Sequence, residues 1–239
     1  MPYRNPPVTE ALIDIQAMGI QCTLDQLRAI AGDSRDFPDI REIRHDQIRV
    51  MPGKDTPVSA TQEVVGYQFW AGDKKRVWQA RSNGFTLSHL APYSTWESLV
   101  ADARPLWTRF REATGGHPSR VAVRYINRFD IAAGGKINYE DYFRTVPKIP
   151  PELDTGLTGY LMQLVLPQQD LKAVAVITQT PSKAPDPNVF SLVLDIDLFR
   201  EVEIPQDEEG LWALLEQFRE RKNFIFENCM GDKAREVIG

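Results

Sequence analysis

The segment Arg120-Val-Ala-Val-Arg-Tyr-Ile-Asn-Arg-Phe-Asp-Ile131 lies at the midpoint of the chain and predicts one long β-strand. Because successive strand side chains point to opposite faces, its apolar residues share one face. These residues are Val121, Val123, Tyr125, Phe129 and Ile131. Arg124, Arg128 and Asp130 share the other face, and Asn127 is the one polar residue on the apolar face. The pattern is typical of a half-buried antiparallel strand, and its polar exceptions are the first candidates for a ligand site.

Further strand signals lie on both sides of this segment. The expected strands are Glu10–Ala17, Gly66–Trp70, Arg76–Arg81, Phe85–Leu90, Gly159–Leu166, Lys172–Thr178 and Val189–Phe199. Ile40–Val50 mixes isoleucine with charged residues, so the sequence allows a further strand there. Met51–Pro57 is predicted to be a surface loop. Asn83-Gly84 is a strong hairpin signal, so Gly66–Trp70, Arg76–Arg81 and Phe85–Leu90 are expected to form a meander.

Helix signals follow the strands in each half of the chain. Thr23 with Gln26, and Ser94 with Glu97, have the form of capping boxes at helix starts. The second box begins a long amphipathic helix that should end at Gly115-Gly116 and bend at Pro105. A last helix is expected over Asp207–Cys229, and Asp232–Gly239 is expected to be a short tail.

The elements therefore come twice in the order strand, helix, three to four strands, helix. The sequence predicts an α+β fold of two duplicated halves, residues 1–119 and 120–239, packed as one structural unit. The expected architecture is a curved antiparallel sheet with two long helices on one face. Such folds host unrelated functions, so the fold by itself does not predict an activity.

Composition excludes several classes of protein. The net charge is −5, with 14 basic and 14 acidic residues up to position 119 and 14 and 19 beyond it. This balance argues against nucleic-acid binding, which needs a basic face to displace counterions. Apolar runs fall far short of the roughly 20 residues of a membrane helix, and the first residues lack a secretory signal. A cytoplasmic protein is the expectation.

Cysteine and histidine usage argues against a disulfide framework and a metal site. Cys22 and Cys229 are the only cysteines and are expected to be reduced. The three histidines are scattered, with no spacing typical of zinc ligands. His89 is expected to be structural and to lie opposite the aromatic face of its strand. No phosphate loop, dinucleotide fingerprint or nucleophile elbow is present, so no cofactor is predicted.

Several segments together resemble a sporadically distributed bacterial protein family of about this length. They are Asn5–Ala11, Leu87–Tyr93 with Trp96-Glu97, Arg124–Arg128, Leu194–Asp197 and Asp232–Glu236. The resemblance implies a bacterial or archaeal intracellular protein. The members of that family have no assigned biochemical activity, so the resemblance carries over no catalytic residues.

Arg124, Arg128, Asp195 and Asp197 form the candidate binding surface, with Asn127 beside it. Cross-strand ion pairing between these arginines and aspartates is one interpretation, contributing about 0.2–1 kcal/mol per pair. The other is an arginine clamp that grips a carboxylate or phosphate. Asp195 and Asp197 with Asp14 or Glu10 could also hold a hard cation. A buried Asn127 would more often support a loop or bulge than bind a ligand.

The leading interpretation is a non-enzymatic binding protein that recognises a protein partner or a small anionic ligand. The alternative is an enzyme acting on a small phosphorylated or acidic substrate, with Arg124 and Arg128 holding the anion and Asp195 or Asp197 as acid or base. A homodimer is left open.

Overall fold

The computed structural model of the chain describes residues 3–32, 35–49, 59–132, 137–153, 157, 159–184 and 186–239. Its strands are β1 (Val8–Met18), β2 (Asp39–Arg49), β3 (Ser59–Trp70), β4 (Arg76–Arg81), β5 (Gly84–Leu90), β6 (His117–Ala132), β7 (Met162–Gln168), β8 (Ala173–Ser182) and β9 (Val189–Arg200). Its helices are α1 (Leu24–Ala29), α2 (Trp96–Thr114), α3 (Glu208–Cys229) and α4 (Asp232–Ile238). Short 3-10 turns cover Tyr139–Asp141, Pro151–Leu153 and Gln169–Leu171.

The strands form one antiparallel sheet in the order β2-β3-β4-β5-β1-β6-β9-β8-β7. The α+β class is therefore confirmed. β1 and β6 lie side by side in the middle, with Ile13 opposite Val123 and Ile15 opposite Val121. In each half of the chain the last strand, β5 or β9, returns to lie beside the first, β1 or β6. The sheet is therefore continuous across the two halves.

Helices α2 and α3 pack on the same face of the sheet. Trp107 of α2 meets the Phe85 ring of β5 edge to face, with ring centroids 6.0 Å apart, and Phe226 of α3 stacks on Phe129 of β6 at 6.3 Å. The central strands turn Ile13 and Val123 to this face, and both are fully buried. Burial of each such side chain stabilises the fold by roughly 1.5–3 kcal/mol, so this face forms the core.

Several predicted boundaries differ from the structure. Thr95, rather than Ser94, caps α2, because its hydroxyl accepts a hydrogen bond from the Ser98 amide. α2 continues through Pro105 and ends at Gly115, whose φ of +67° suits glycine. The expected tail is wrong, since α4 forms there. Met51–Pro57 lies outside the described residues.

The prediction was also wrong about the face of the sheet to which the His89 side chain points. His89 shares strand parity with Phe85 and Leu87, and its ring contacts Asp102 of α2. It therefore lies on the helix-covered face, next to the aromatic core.

The N-terminal segment is held against the far end of the chain. The Tyr3 hydroxyl donates to Glu227 of α3 at 2.6 Å, and the Asn5 amide donates to the Ile238 carbonyl of α4. The Arg128 amide of β6 donates to the Pro7 carbonyl at 2.8 Å. These contacts place the segment across one end of α3, where it forms a wall of the cavity described below.

Two further features concern the described residues only. No helix in these ranges combines the length and apolar character that a membrane crossing requires. No group of three or more His, Cys, Asp or Glu side chains in these ranges is arranged to hold a metal ion, so the proposed cation site at Asp195 and Asp197 has no support.

Candidate functional site

A cavity of about 610 Å³ lies between the N-terminal segment, the loop before α2, strand β6 and helix α3. Its lining is Tyr3, Pro6, Pro7, Val8, Tyr93, Ser94, Thr95, Trp96, Glu97, Tyr125, Asn127, Arg219, Lys222, Asn223, Phe226 and Glu227. The volume lies in the range of small-molecule sites, and an apolar wall with a few polar groups is the usual composition of such sites.

The aromatic wall of this cavity is organised by two tyrosines. The hydroxyls of Tyr93 and Tyr125 are 2.7 Å apart, and their rings meet edge to face at 5.5 Å. Burial raises the pKa of Tyr93 to about 12 and raises that of Tyr125 further. Both phenols therefore stay neutral at physiological pH, and because one hydroxyl donates to the other, one phenolic proton remains for a ligand.

Lys222 places a cationic group inside this wall. The lysine is only 8% exposed, and its Nζ atom lies 3.6 Å from the centroid of the Tyr125 ring. Within the described part of the chain it has no carboxylate, hydroxyl or carbonyl partner. Burial, and then the nearby Arg219 charge, lower the pKa of Lys222 to about 7.

The other charged groups of the cavity are neutralised by neighbours. Arg219 contacts Glu216 at 2.7 Å and Glu97 at 3.4 Å. Glu227 accepts hydrogen bonds from Tyr3 and Arg235. Lys222 is therefore the charge of the described lining that lacks a counter-ion.

Asn127 is the sequence-predicted residue that lines this cavity. It is 2% exposed, and its side-chain amide donates to the carbonyls of Leu194 at 3.0 Å and Tyr125 at 3.3 Å. The β1–β6 register shifts beside it, since Val8 faces Asn127 whereas Glu10 faces Ile126. Asn127 thus supports the backbone next to a bulge, and bulges often lie next to functional sites.

The other four predicted residues lie on the helix-free face of the sheet. Arg124 forms a bidentate pair with Asp195 at 2.6 and 2.9 Å, which joins β6 to β9. Arg128 instead contacts Asp130 of its own strand at 3.1 Å. The two arginines therefore have separate carboxylate partners and do not converge on one point.

Asp197 belongs to a neighbouring network on the same face. Arg120 bridges Asp14 at 3.2 Å and Asp197 at 3.4 Å, and Arg81 contacts Asp14 at 2.7 Å. Burial raises the pKa of Asp197, although Arg120 and Arg124 oppose this effect. Of the cross-strand pairs expected between these arginines and aspartates, Arg124–Asp195 forms, whereas Asp197 pairs with Arg120 and Arg128 pairs with Asp130 of its own strand.

A second, smaller cluster surrounds His89. Its Nε2 atom lies 2.9 Å from Asp102 of α2, which also contacts Arg76 at 3.2 Å, beside a cavity of about 260 Å³. Burial lowers the pKa of His89, although Asp102 opposes this effect. The imidazole is therefore neutral at pH 7, and the Asp102 contact holds it between strand and helix.

Lys222 was not singled out from the sequence, although a signal was present. The buried stripe of α3 comprises Leu211, Leu215, Phe218, Lys222 and Ile225 at alternating spacings of four and three residues. A lysine at a helical core position is rare unless it is paired, and this mismatch between residue type and position was the available signal.

Comparisons of the chain with protein-family models, with curated proteins and with solved structures found no match.

Proposed function

We propose that the protein binds a small amphipathic anion in the cavity lined by Lys222, with the carboxylate or phosphate of the ligand against the lysine and its apolar part against the aromatic wall. The observation that carries this proposal is the buried Lys222 on the cavity wall, which has no carboxylate partner in the part of the chain that the structure describes. The ligand class is the small anion expected from the sequence, but its site moves from the Arg124 surface to the opposite face of the sheet.

The positive charge of Lys222 in the cavity favours an anionic ligand. A buried ammonium without a partner is costly, and a negative ligand group supplies the missing counter-charge. Arg219 adds positive potential, although Glu216 and Glu97 already neutralise much of it. Charge-assisted hydrogen bonds to a desolvated cation contribute about 1.5–3 kcal/mol, enough to select anions over neutral analogues.

The residues that line the cavity are suited to a ligand with an aromatic or branched apolar group. Tyr125, Phe226 and Trp96 line the same space, together with Pro6 and Pro7. Rings of this kind bury large apolar area at low entropic cost. Asn223, the side-chain oxygen of Asn127 and one hydroxyl of the Tyr93–Tyr125 pair supply the few polar groups that would orient the ligand.

Segments that carry the family resemblance meet at this cavity. Asn5–Ala11 supplies Pro6, Pro7 and Val8, the segment ending at Tyr93 supplies that ring, and Arg124–Arg128 supplies Tyr125 and Asn127. We include in the proposal that the chain belongs to that bacterial family and works in the cytoplasm. Strand β5 pairs with β1 in the first half of the chain, and β9 pairs with β6 in the same way in the second half. This equivalence supports an internal duplication as the origin of the fold.

Native mass spectrometry of protein purified gently from its host tests the proposal first, since it detects a retained ligand and the subunit number together. Isothermal titration with hydrocinnamate, an aromatic carboxylate, then tests the charge requirement. We expect Lys222→Met to weaken binding about tenfold or more, and Lys172→Met, an exposed lysine paired with Glu203, to leave it unchanged. Equal affinity in the wild type and Lys222→Met would refute the proposal.

A second candidate function is recognition of a protein partner, a second copy of the chain included. The observation behind it is the edge strand β7, where Val165 and Leu166 and the preceding Leu161 are exposed. Exposed apolar edge strands are templates for pairing with another chain. Val165→Lys should then dissociate a dimer measured by native mass spectrometry, whereas a monomeric wild-type protein would argue against self-association.

A further inference from the structure

The Lys222 amine faces the cavity in a form that is suited to covalent chemistry. Its Nζ atom is packed against the Tyr125 ring and makes no hydrogen bond within the described residues, so no partner competes for its lone pair. The rest of the side chain is buried, so the amine is reached from the cavity.

We propose that Lys222 forms an imine with a carbonyl group of the ligand, and that the cavity takes an α-keto acid with an aromatic or branched side chain. This inference rests on the proposed function, because it places the same class of anion in the same cavity. It adds a reacting atom on the protein, Nζ of Lys222, and a required functional group on the ligand.

The protonation state of Lys222 supports this reaction. An amine attacks a carbonyl only when it is neutral, and an ordinary lysine is neutral in roughly one molecule in a few thousand at pH 7. Burial, together with the Arg219 charge, lowers the pKa of Lys222 to about 7, so the neutral amine is far more populated at pH 7 than in an ordinary lysine. Contact with the Tyr125 ring favours the ammonium and offsets part of this effect.

The titratable groups that face Lys222 come from every surrounding element. Tyr3 lies on the N-terminal segment, Tyr93 before α2, Glu97 on α2, Tyr125 on β6, and Arg219 and Glu227 on α3. Both glutamates are bound to arginines, and the phenols of Tyr93 and Tyr125 stay protonated. No carboxylate in the described lining is therefore left to hold Lys222 in the ammonium form.

The reaction balances with groups that are present. The Nζ lone pair attacks the carbonyl carbon, the carbonyl oxygen accepts a proton, and nitrogen loses a proton to give a neutral carbinolamine. Protonation of its hydroxyl group releases water as the C=N bond forms. The proton that nitrogen loses can pass to the carbonyl oxygen, and solvent supplies the second proton, which leaves with the hydroxyl group as water. No oxidant, reductant or metal is required.

An α-keto acid fits the site better than a simple aldehyde. Its carbonyl group meets the amine, while its adjacent carboxylate balances the positive charge of a protonated imine. Its side chain then occupies the space between Tyr125, Trp96 and Phe226. A single small molecule thus satisfies the charge, the reactivity and the apolar wall.

Reductive trapping tests this proposal. The intact wild-type protein is incubated with phenylpyruvate and sodium cyanoborohydride at neutral pH, and the adduct is located by intact mass and peptide mapping. We expect one adduct per chain, on Lys222, and suppression of labelling by excess hydrocinnamate, which lacks the keto group. Lys222→Arg should reduce labelling more than tenfold, and the control Lys172→Arg should not.

The outcomes separate the imine from the binding proposal. Hydrocinnamate binding without an adduct would overturn the imine and leave the anion site intact. Adducts spread over surface lysines, or labelling unaffected by hydrocinnamate, would also overturn it. Failure of both ligands to bind would overturn both proposals. Peptide mapping of the wild-type protein gives the answer even if Lys222→Arg does not fold.

Discussion

The Nζ atom of Lys222 lies 3.6 Å from the centroid of the Tyr125 ring, so helix α3 meets the central strand β6 through an ammonium and an aromatic face. The carboxylates on the cavity rim, Glu97 and Glu227, contact Arg219 and Arg235 instead. The lysine is thus held by an aromatic ring rather than by an ion pair, and this relationship determines how the site should respond to mutation and pH.

Replacement of Lys222 by methionine should not destabilise the protein. Methionine keeps the length and apolar character of the side chain and removes a buried charge, so we expect the free energy of unfolding at slightly acidic pH to rise by about 1–3 kcal/mol. Urea denaturation followed by circular dichroism measures it. Lys233→Met, which breaks an exposed pair with Asp141, is the control and should leave the stability nearly unchanged. A marked loss of stability in Lys222→Met would contradict this account.

The stability difference between wild type and Lys222→Met should depend on pH. Folding lowers the pKa of Lys222 from 10.5 to about 7, so between these values the unfolded chain binds more protons than the folded protein. Wild-type stability relative to Lys222→Met must therefore rise as the pH increases from about 7 towards 10. Denaturation series of both proteins across this range test the sign; a flat difference would show that Lys222 titrates normally.

Arg124→Ala should reduce stability without altering ligand binding. The Arg124 side chain is 41% exposed and that of Asp195 15%, so we expect the pair to contribute about 1 kcal/mol. A double-mutant cycle with Asp195→Ala isolates the coupling. Arg128→Ala, whose partner Asp130 is exposed, should cost less than about 0.5 kcal/mol. Loss of ligand affinity in either arginine variant would show that the ligand binds on the face of the sheet that carries Arg124, and not in the cavity.

Asn127→Ala should destabilise the protein strongly, although it removes only a small side-chain amide. It leaves the Leu194 carbonyl without its side-chain donor beside the β1–β6 bulge, at an expected cost of about 1–3 kcal/mol. Asn127→Asp should cost at least as much, because a carboxylate cannot donate to a carbonyl. Thermal melts compare the two variants. Near-wild-type melting of both would assign Asn127 to the ligand rather than to the backbone.

Residues 1–119 should not fold alone. β1 lies between β5 and β6, and removal of β6 exposes a long central strand as an unpaired edge. We expect the separate halves to aggregate and their co-expression to restore a soluble complex, as measured by size-exclusion chromatography. A stable, monomeric fragment 1–119 would instead establish two independent domains.

Much of the fold was predictable because its signals are local. The alternation within residues 120–131 depends only on the period of a strand, and the helix ending at Gly115 depends only on local backbone preferences. Errors arose where a choice between neighbouring residues depended on packing. Thr95 rather than Ser94 caps α2, and the segment after Gly231 gains a helix by docking against β6 and the Tyr139–Asp141 turn.

The candidate site also has features that local sequence patterns predict and features that depend on tertiary contacts. The sequence by itself determined that Arg124 and Asp195 lie on polar strand faces and that Asn127 lies on an apolar one, because side-chain direction follows from strand period. Only the tertiary structure decided that Arg124 has a charged partner and that Lys222 has none among the described residues. The pairing of charges depends on groups brought together from distant parts of the chain, and local periodicity carries no information about it.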